Sequence, residues 1–181
     1  MPISQELIDR VTSHAIVEFD THFDVEGFVN IGVSYKTVDF DDDGSEKVEV
    51  YGGAQLFAFD GSDERELLML ADSYSGDVLY TVECAATYNP IESRLFVVMD
   101  VMGIDKEIRC HAIRADMISK IEKLLCYMSG PVYFTFLPET VMDVKDEEYS
   151  NTIEHLVANG YQMNVGPERK QLCLARILED C

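Results

Sequence analysis

The chain has 181 residues, of which 47% are hydrophobic and 27% are charged, with 34 acidic residues against 14 basic ones. This composition is typical of one globular domain rather than a disordered chain, and no apolar run approaches the ~20 residues of a membrane-spanning helix. The net charge of −20 argues against direct nucleic-acid binding, because phosphates are repelled unless basic residues cluster locally.

The charge is distributed unevenly along the chain. Residues 1–92 contain twenty acidic and four basic residues, whereas residues 93–181 contain fourteen acidic and ten basic residues. We therefore expect one domain over residues 1–181 with an acidic N-terminal half, and an anionic ligand could bind only in the second half. The acidic start differs from a signal peptide, and the five cysteines have no paired spacing, so a reduced, cytoplasmic protein is predicted.

The first half of the chain alternates between helical and strand patterns. Apolar residues recur at helical spacing within residues 4–19, which predicts a short amphipathic helix. Strands are predicted over residues 28–38 and 48–59, with a bulge or bend at Gly52-Gly53 in the second. A capped, acid-rich helix over residues 62–76 and a strand over residues 77–84 follow.

The second half contains the strongest signals. Residues 94–102 are a nearly continuous apolar run, which predicts a strand buried on both faces. Residues 114–128 have a broad apolar stripe at helical spacing, and Gly130-Pro131 ends this predicted helix. The remaining predicted elements are a strand over 132–137, a helix over 147–159 and a hairpin of strands 161–165 and 171–178.

Together these elements predict the α/β (α+β) class. We expect a single domain with a mixed, mostly antiparallel central sheet, flanked by three or four helices.

The acidic segment Asp39–Glu46 begins like a calcium-binding EF-hand loop. Asp39, Asp41, Asp43 and Gly44 match the opening of that motif, but the closing acid is missing because Val50 stands in its place. Aspartates with glycine are also typical of a solvated turn. We therefore predict a hairpin loop and no metal site.

Known catalytic signatures are not found in the sequence. Cys110 and His111 are adjacent, but nothing around them has zinc-site spacing or a nucleophile signature. Phosphate-binding glycine loops and the usual hydrolase motifs are also missing.

Basic residues gather just before the predicted helix over residues 114–128. They are Lys106, Arg109, His111 and Arg114. A helix N-terminus presents unpaired N–H groups and partial positive charge, so a phosphate group could bind there. The alternative is an exposed surface on which these bases offset the neighbouring acidic residues.

The order of elements over residues 78–178 resembles the acyl-CoA-binding half of the GNAT acyltransferase superfamily. In that family, an R/Q-x-x-G-x-G/A loop at a helix start holds the cofactor pyrophosphate through backbone amides. The segment 109–115 (Arg-Cys-His-Ala-Ile-Arg-Ala) is similar to this loop. The resemblance implies a GNAT-like second half in which Arg109, Ala112 and Arg114 bind acetyl-CoA or a related acyl-CoA.

Two features differ from the family's pattern. Ala112 and Arg114 stand where the loop glycines belong, and Leu156 stands where the acid-donating tyrosine is usual. The resemblance therefore implies either an acyl-CoA-dependent N-acyltransferase or an inactive relative. In an enzyme, Asp100 or Glu83, near the ends of predicted strands, would act as the general base for an amine nucleophile.

The alternative is a non-enzymatic acidic interaction protein. Its acidic half would mimic DNA phosphates, bind a basic protein surface and inhibit a nucleic-acid-binding enzyme such as a restriction enzyme or a CRISPR effector. The candidate residues for this surface are Asp39, Asp41, Asp42, Asp43, Glu46, Asp63, Glu64 and Glu66. The acidic residues are also explained if they only maintain solubility. A role as an oligomeric scaffold is a further alternative for the protein.

Overall fold

A computed structural model gives the fold, and it describes residues 3–23, 28–60, 63–88, 95–129, 131–165 and 171–179. The helices are α1 (Gln5–His14), α2 (Glu64–Tyr74), α3 (Gly76–Tyr88), α4 (His111–Ser129), α5 (Pro138–Val141) and α6 (Tyr149–Ala158). The strands are β1 (Ile16–Phe23), β2 (Phe28–Phe40), β3 (Glu46–Asp60), β4 (Leu95–Ile104), β5 (Val132–Phe136), β6 (Gln162–Val165) and β7 (Leu172–Leu178).

One sheet of seven strands runs through the molecule in the order β1-β2-β3-β4-β5-β7-β6. Neighbouring strands are antiparallel except β4 and β5, which are parallel and are connected through α4. A parallel pair needs such a crossover. The predicted α/β class with a mixed, mostly antiparallel sheet is therefore confirmed. The described residues form six helices rather than three or four, since α3 and the short α5 were not predicted.

The helices cover the two faces of the sheet in different numbers. Helices α1, α4 and α6 pack on one face through a large core that includes Val11, Met117 and Leu156. Helices α2 and α3 pack on the opposite face, against aromatic residues such as Phe57 and Phe96. The sheet is thus the middle of three layers.

Two elements of the first half differ from the prediction. The strand predicted over residues 77–84 is wrong, because these residues belong to α3. Val78, Val82 and Ala85 are buried on one side at a spacing of four and three residues, which is helical. The segment contains so many apolar residues that the helical spacing of its buried positions could not be recognised from the sequence.

The helix predicted within residues 4–19 is shorter than expected. It ends at His14, and Ala15 already has an extended backbone with ψ near 144°. The β-branched residues Ile16 and Val17 follow and favour a strand. Residues 16–23 consequently form β1, an edge strand that was not predicted.

Strands β2 and β3 extend beyond the rest of the sheet. β1 pairs with β2 only as far as Lys36, and β4 pairs with β3 only from Gly52 onward. Residues 37–51 therefore form a two-stranded extension, which we call the β2–β3 arm. Tyr51 is the extra residue of a bulge at its base, which confirms the bulge predicted at Gly52-Gly53 to within one residue.

Strands β4 and β5 stay together over only part of their length. They pair from Leu95 to Met99 on β4, after which β4 continues to Ile104 beside β3 alone. Asp100 is the extra residue of a second bulge at this point. The chain after β5 turns away into α5, so a gap opens beside the second half of β4.

Across the described residues, no helix has the length and apolar character that crossing a membrane would require.

Candidate functional site

A cavity of about 500 Å³ lies where β4 and the chain after β5 separate. It is lined by Met102–Ile104 on β4, by Arg109 and Arg114 at the start of α4, and by residues 139–144. This volume is within the range of about 300–1,000 Å³ that small-molecule sites occupy. All of its lining residues come from the less acidic half of the chain, where an anionic ligand is least repelled.

Arg114 is buried in the wall of this cavity, and only one of its two terminal nitrogens has a hydrogen-bond acceptor among the described residues. Its side chain is only 3% exposed, and its Nη2 donates a hydrogen bond to Oδ2 of Asp146 at 2.5 Å. Its Nη1 is buried without a hydrogen-bond acceptor among the described residues. A buried donor without an acceptor destabilises the fold. Because this nitrogen has almost no accessible surface, an anionic group in the cavity reaches it only when the Arg114 side chain moves.

Arg109 lies between two cavities. Its Nη2 donates to the carbonyl oxygen of Ile104 at 3.2 Å. It lines the cavity beside Arg114 and also a second cavity of about 900 Å³ at the start of α4, which Ala112 lines as well. The structure thus places all three predicted cofactor-binding residues, Arg109, Ala112 and Arg114, around the first turn of α4.

The N-terminus of α4 is capped by a carboxylate of the chain itself. Oε2 of Glu148 is 2.6 Å from Nδ1 of His111. Hydrogen bonding from the His111 side chain lowers the pKa of Glu148 most, and Asn151 and the His111 backbone lower it further. A carboxylate here is favoured by the partial positive charge of the helix end. The position that the resemblance assigns to a phosphate therefore already holds an anion.

Asp100 lies on the opposite side of the sheet from α4, toward α2 and α3. Burial raises the pKa of its carboxyl group, and the negative charge of Asp77 raises it further. Asp100 also adds to the raised pKa of Tyr74, for which burial is the larger cause. A carboxyl group with a raised pKa is suited to accept a proton from an amine.

Glu83, the other candidate base, is placed differently. It is an exposed residue of α3, on a helix rather than at the end of a strand, and neither it nor Asp100 lines the cavity beside Arg114. The reasoning that selected it depended on the strand predicted over residues 77–84. Asp100 is consequently the better candidate.

The eight acidic residues predicted to bind a partner fall into two groups. Asp39, Asp41, Asp42, Asp43 and Glu46 are exposed at the tip of the β2–β3 arm, whereas Asp63, Glu64 and Glu66 are exposed at the start of α2. Glu46 begins β3 and Asp60 ends it, so the groups are separated by the length of that strand, roughly 45 Å at 3.3 Å per residue. They do not form one continuous surface.

The acidic loop at the arm's tip has the hydrogen bonds of a tight turn. Oδ1 of Asp43 accepts from the hydroxyl and the amide of Ser45, at 2.6 Å and 2.9 Å, and Gly44 has a φ of 82°. Over the described ranges, no group of three or more His, Cys, Asp and Glu side chains is placed to hold a metal ion.

The sequence reasoning did not identify Asp146 and Glu148, although both contact the start of α4. They belong to a run of acidic residues after α5, and such a run is usually solvated surface. The group of basic residues before α4 was the one signal that an acidic partner lies nearby, because a buried arginine requires a nearby anion. Sequence alone could not show which acid supplies it.

Comparisons of the chain with protein-family models, curated proteins and solved structures found no significant match.

Proposed function

We propose that the protein binds an acyl-CoA in the cavity beside Arg114 and transfers its acyl group to an amine. The single observation that carries this proposal is the buried Nη1 of Arg114, which has no acceptor among the described residues although it belongs to a cavity-lining side chain. A phosphate oxygen is a suitable acceptor, since arginine binds phosphate with strong charge-assisted hydrogen bonds.

The arrangement of elements supports the same proposal. Strand β4, helix α4, strand β5, the short helix α5, helix α6 and strands β6 and β7 follow one another, and apart from α5 this is the order that the resemblance to the GNAT superfamily implies. The gap where β4 and β5 separate gives a long, thin ligand a place to lie in the sheet. Arg109 and Arg114 would hold its phosphate groups, while Ala112 would lie beside them.

The fit is incomplete at the helix N-terminus. Glu148 caps α4, and Asp146 pairs with Arg114, so two carboxylates compete with a phosphate for these groups. Ala112 and Arg114 also add side chains where the family has glycine, which keeps a phosphate farther from the backbone.

Asp100 provides the acid–base chemistry in this proposal. The acyl-CoA supplies a thioester carbonyl, which the amine attacks. The C–N bond forms, the C–S bond breaks, and the proton lost by the attacking nitrogen passes to the departing sulfur, so that CoA leaves as its thiol. Asp100 takes a proton from the ammonium form of the acceptor, so that its lone pair is free for attack. The bulge of β4 places Asp100 directly after the last residue that pairs with β5.

Thermal unfolding with acetyl-CoA is the first test. A ligand present at 100 times its Kd stabilises the folded state by about 2.7 kcal/mol, so the wild-type Tm should rise at millimolar acetyl-CoA. Arg109→Ala should weaken binding about tenfold, whereas Lys123→Ala, which removes an exposed charge from the C-terminal half of α4, should change it little. An unchanged wild-type Tm at millimolar acetyl-CoA would end this proposal.

A second function has one observation in its favour. The β2–β3 arm leaves Phe40 72% exposed, together with Val48 and Val50, next to its acidic tip. Exposed apolar side chains bordered by acids are typical of a surface that binds a basic partner. In this alternative the arm alone, rather than all eight acids, contacts a basic protein such as a nucleic-acid-binding enzyme.

The two groups of acids allow a matched test of this alternative. Replacing Asp41, Asp42 and Asp43 with Asn should abolish binding to such a partner, measured by pull-down and by competition with duplex DNA. Replacing Asp63, Glu64 and Glu66 with their amides removes the same charge from the other end of β3 and should leave binding unchanged. Equal effects of both variants would mean that only net charge matters.

A further inference from the structure

Residues 143–148 form an acidic strap that folds back onto the start of α4. Its sequence is Asp-Val-Lys-Asp-Glu-Glu. Two of its carboxylates make the contacts described above: Oδ2 of Asp146 lies 2.5 Å from Nη2 of Arg114, and Oε2 of Glu148 lies 2.6 Å from Nδ1 of His111. The strap thus supplies one anion to the buried arginine and another to the helix end.

The environment of Asp146 shows how well this carboxylate matches the basic groups. Burial alone would raise the pKa of Asp146. Hydrogen bonds from the Glu148 amide and from Arg114, with the charges of Arg114 and Arg109, outweigh burial and lower its pKa. Both arginines that line the cavity therefore stabilise the same carboxylate, as they would stabilise a bound phosphate.

The strap packs against the apolar core only at its ends. Val141 and Met142 are buried before it, and Thr152 and Ile153 are buried after it. Within it, Asp143, Val144, Lys145 and Glu147 are exposed. Moving this segment breaks local hydrogen bonds, such as that from the Glu148 amide to Asp146, but it exposes few buried apolar side chains.

Asp146 satisfies only part of the hydrogen-bonding capacity of Arg114. A phosphate group that replaces it can therefore make a hydrogen bond that Asp146 does not make. Asp146 satisfies Nη2 of Arg114, whereas Nη1 remains without an acceptor in the described part of the chain. A phosphate group carries more acceptor oxygens than this carboxylate uses and could satisfy both nitrogens.

From these contacts we infer that the strap is an internal competitor of the site's anionic ligand. Asp146 and Glu148 occupy Arg114 and His111 in the free protein, and phosphate groups displace both carboxylates when the ligand binds. This inference rests on the proposed function, since it describes how the same site is regulated.

Inorganic pyrophosphate is a suitable probe because it tests anion exchange without requiring acyl-CoA recognition. In Glu148→Gln the carboxylate at the helix end is lost, and in Asp146→Asn the carboxylate at Arg114 is lost. Each variant should bind pyrophosphate about tenfold more tightly than the wild type, by calorimetry at constant ionic strength, because a competing charge has been removed. Glu154→Gln is the control, since it removes an exposed charge of α6 outside the strap and should leave affinity unchanged.

Asp146→Asn leaves Arg114 buried without a counter-charge, so this variant should be less stable than the wild type. Pyrophosphate should then raise its Tm more than it raises the Tm of the wild type. Glu148→Gln leaves no buried charge unpaired, and it keeps the test valid if Asp146→Asn does not fold.

The outcomes separate the strap from the proposed function. Weaker or unchanged pyrophosphate binding in Glu148→Gln would overturn the inference, because it would make the strap a support for the site rather than its competitor. Tighter pyrophosphate binding without any acetyl-CoA binding would uphold the strap and reject the acyltransferase. Acetyl-CoA binding that is equally tight in the wild type and in Glu148→Gln would uphold the proposed function and reject the strap.

Discussion

Asp100 and Arg114 carry their charges in surroundings that do not favour them. The carboxyl group of Asp100 is partly buried near the negative charge of Asp77, and Arg114 is buried with one nitrogen unpaired. Such residues reduce stability, and they persist most often where function requires them. Arg114 lines the cavity, whereas Asp100 lies on the other face of the sheet, directly after the last β4 residue that pairs with β5.

Asp100→Asn keeps the shape of the side chain and removes its charge. The variant should lose acyl transfer about 100-fold or more, as expected for a general base, and should nevertheless have a slightly higher Tm at pH 7. Asp72→Asn, which removes an exposed charge of α2, should change neither property. Activity assays and thermal unfolding provide the two measurements.

The pH dependence of the Tm follows from the raised pKa of the Asp100 carboxyl group. A carboxyl group whose pKa is raised in the folded state destabilises the protein as the pH rises from its ordinary value of 3.8 through the raised value. The Tm difference between Asp100→Asn and the wild type should therefore appear over this range and stay constant at higher pH. A variant that is less stable than the wild type at pH 7 would contradict the assignment.

At the scale of elements, periodicity predicted those segments whose buried faces were regular. Helix α4 was predicted because Met117, Ile121 and Leu125, among others, form a stripe that is buried in the structure. Helix α3 was not predicted, because an apolar run of this length fits a buried strand or a buried helix equally well. Local pattern alone cannot distinguish these cases.

The candidate site could be predicted only in part, for a related reason. Arg109 and Arg114 are close in sequence to the start of α4, so the helix alone brings them together. Asp146 and Glu148 reach the same place only because β5 and α5 return the chain to it. Contacts between distant segments depend on tertiary packing, which a single sequence does not specify.

Strands β3 and β4 are closely packed at the base of the β2–β3 arm. A Cβ atom at Gly52 would lie 2.4 Å from the carbonyl oxygen of Gly103, so β3 and β4 would have to move apart. We expect Gly52→Ala to destabilise the fold by about 2–3 kcal/mol, measured by urea denaturation. Gly103→Ala is the matched control, because a Cβ there meets no atom within 4 Å and should be tolerated. An equal loss of unfolding free energy in both variants would indicate that strand conformation, rather than close packing, requires glycine.

For the whole molecule, the unequal charge of the two halves has an energetic consequence. The first 92 residues contain only four bases, and three of them, Arg10, Lys36 and Lys47, already form ion pairs with glutamates. Because this half contains twenty acidic residues against four basic ones, its acids repel one another on balance. Repulsion of this kind destabilises a compact state while it keeps the protein in solution.

The last prediction is that added salt stabilises the protein at pH 7. Raising sodium chloride from 10 mM to 150 mM shortens the screening length from about 30 Å to about 8 Å, so repulsion between dispersed acids weakens more than attraction within close pairs. We expect the Tm to rise by about 2–4 °C, which corresponds to roughly 1 kcal/mol for a chain of this size. The variant with Asp42→Asn and Glu46→Gln, both exposed at the arm's tip, should start from a higher Tm and gain less from salt. A Tm that falls with salt would show instead that the ion pairs contribute more to stability than the surplus charge removes, and the arm's acids would then need a structural explanation rather than a partner.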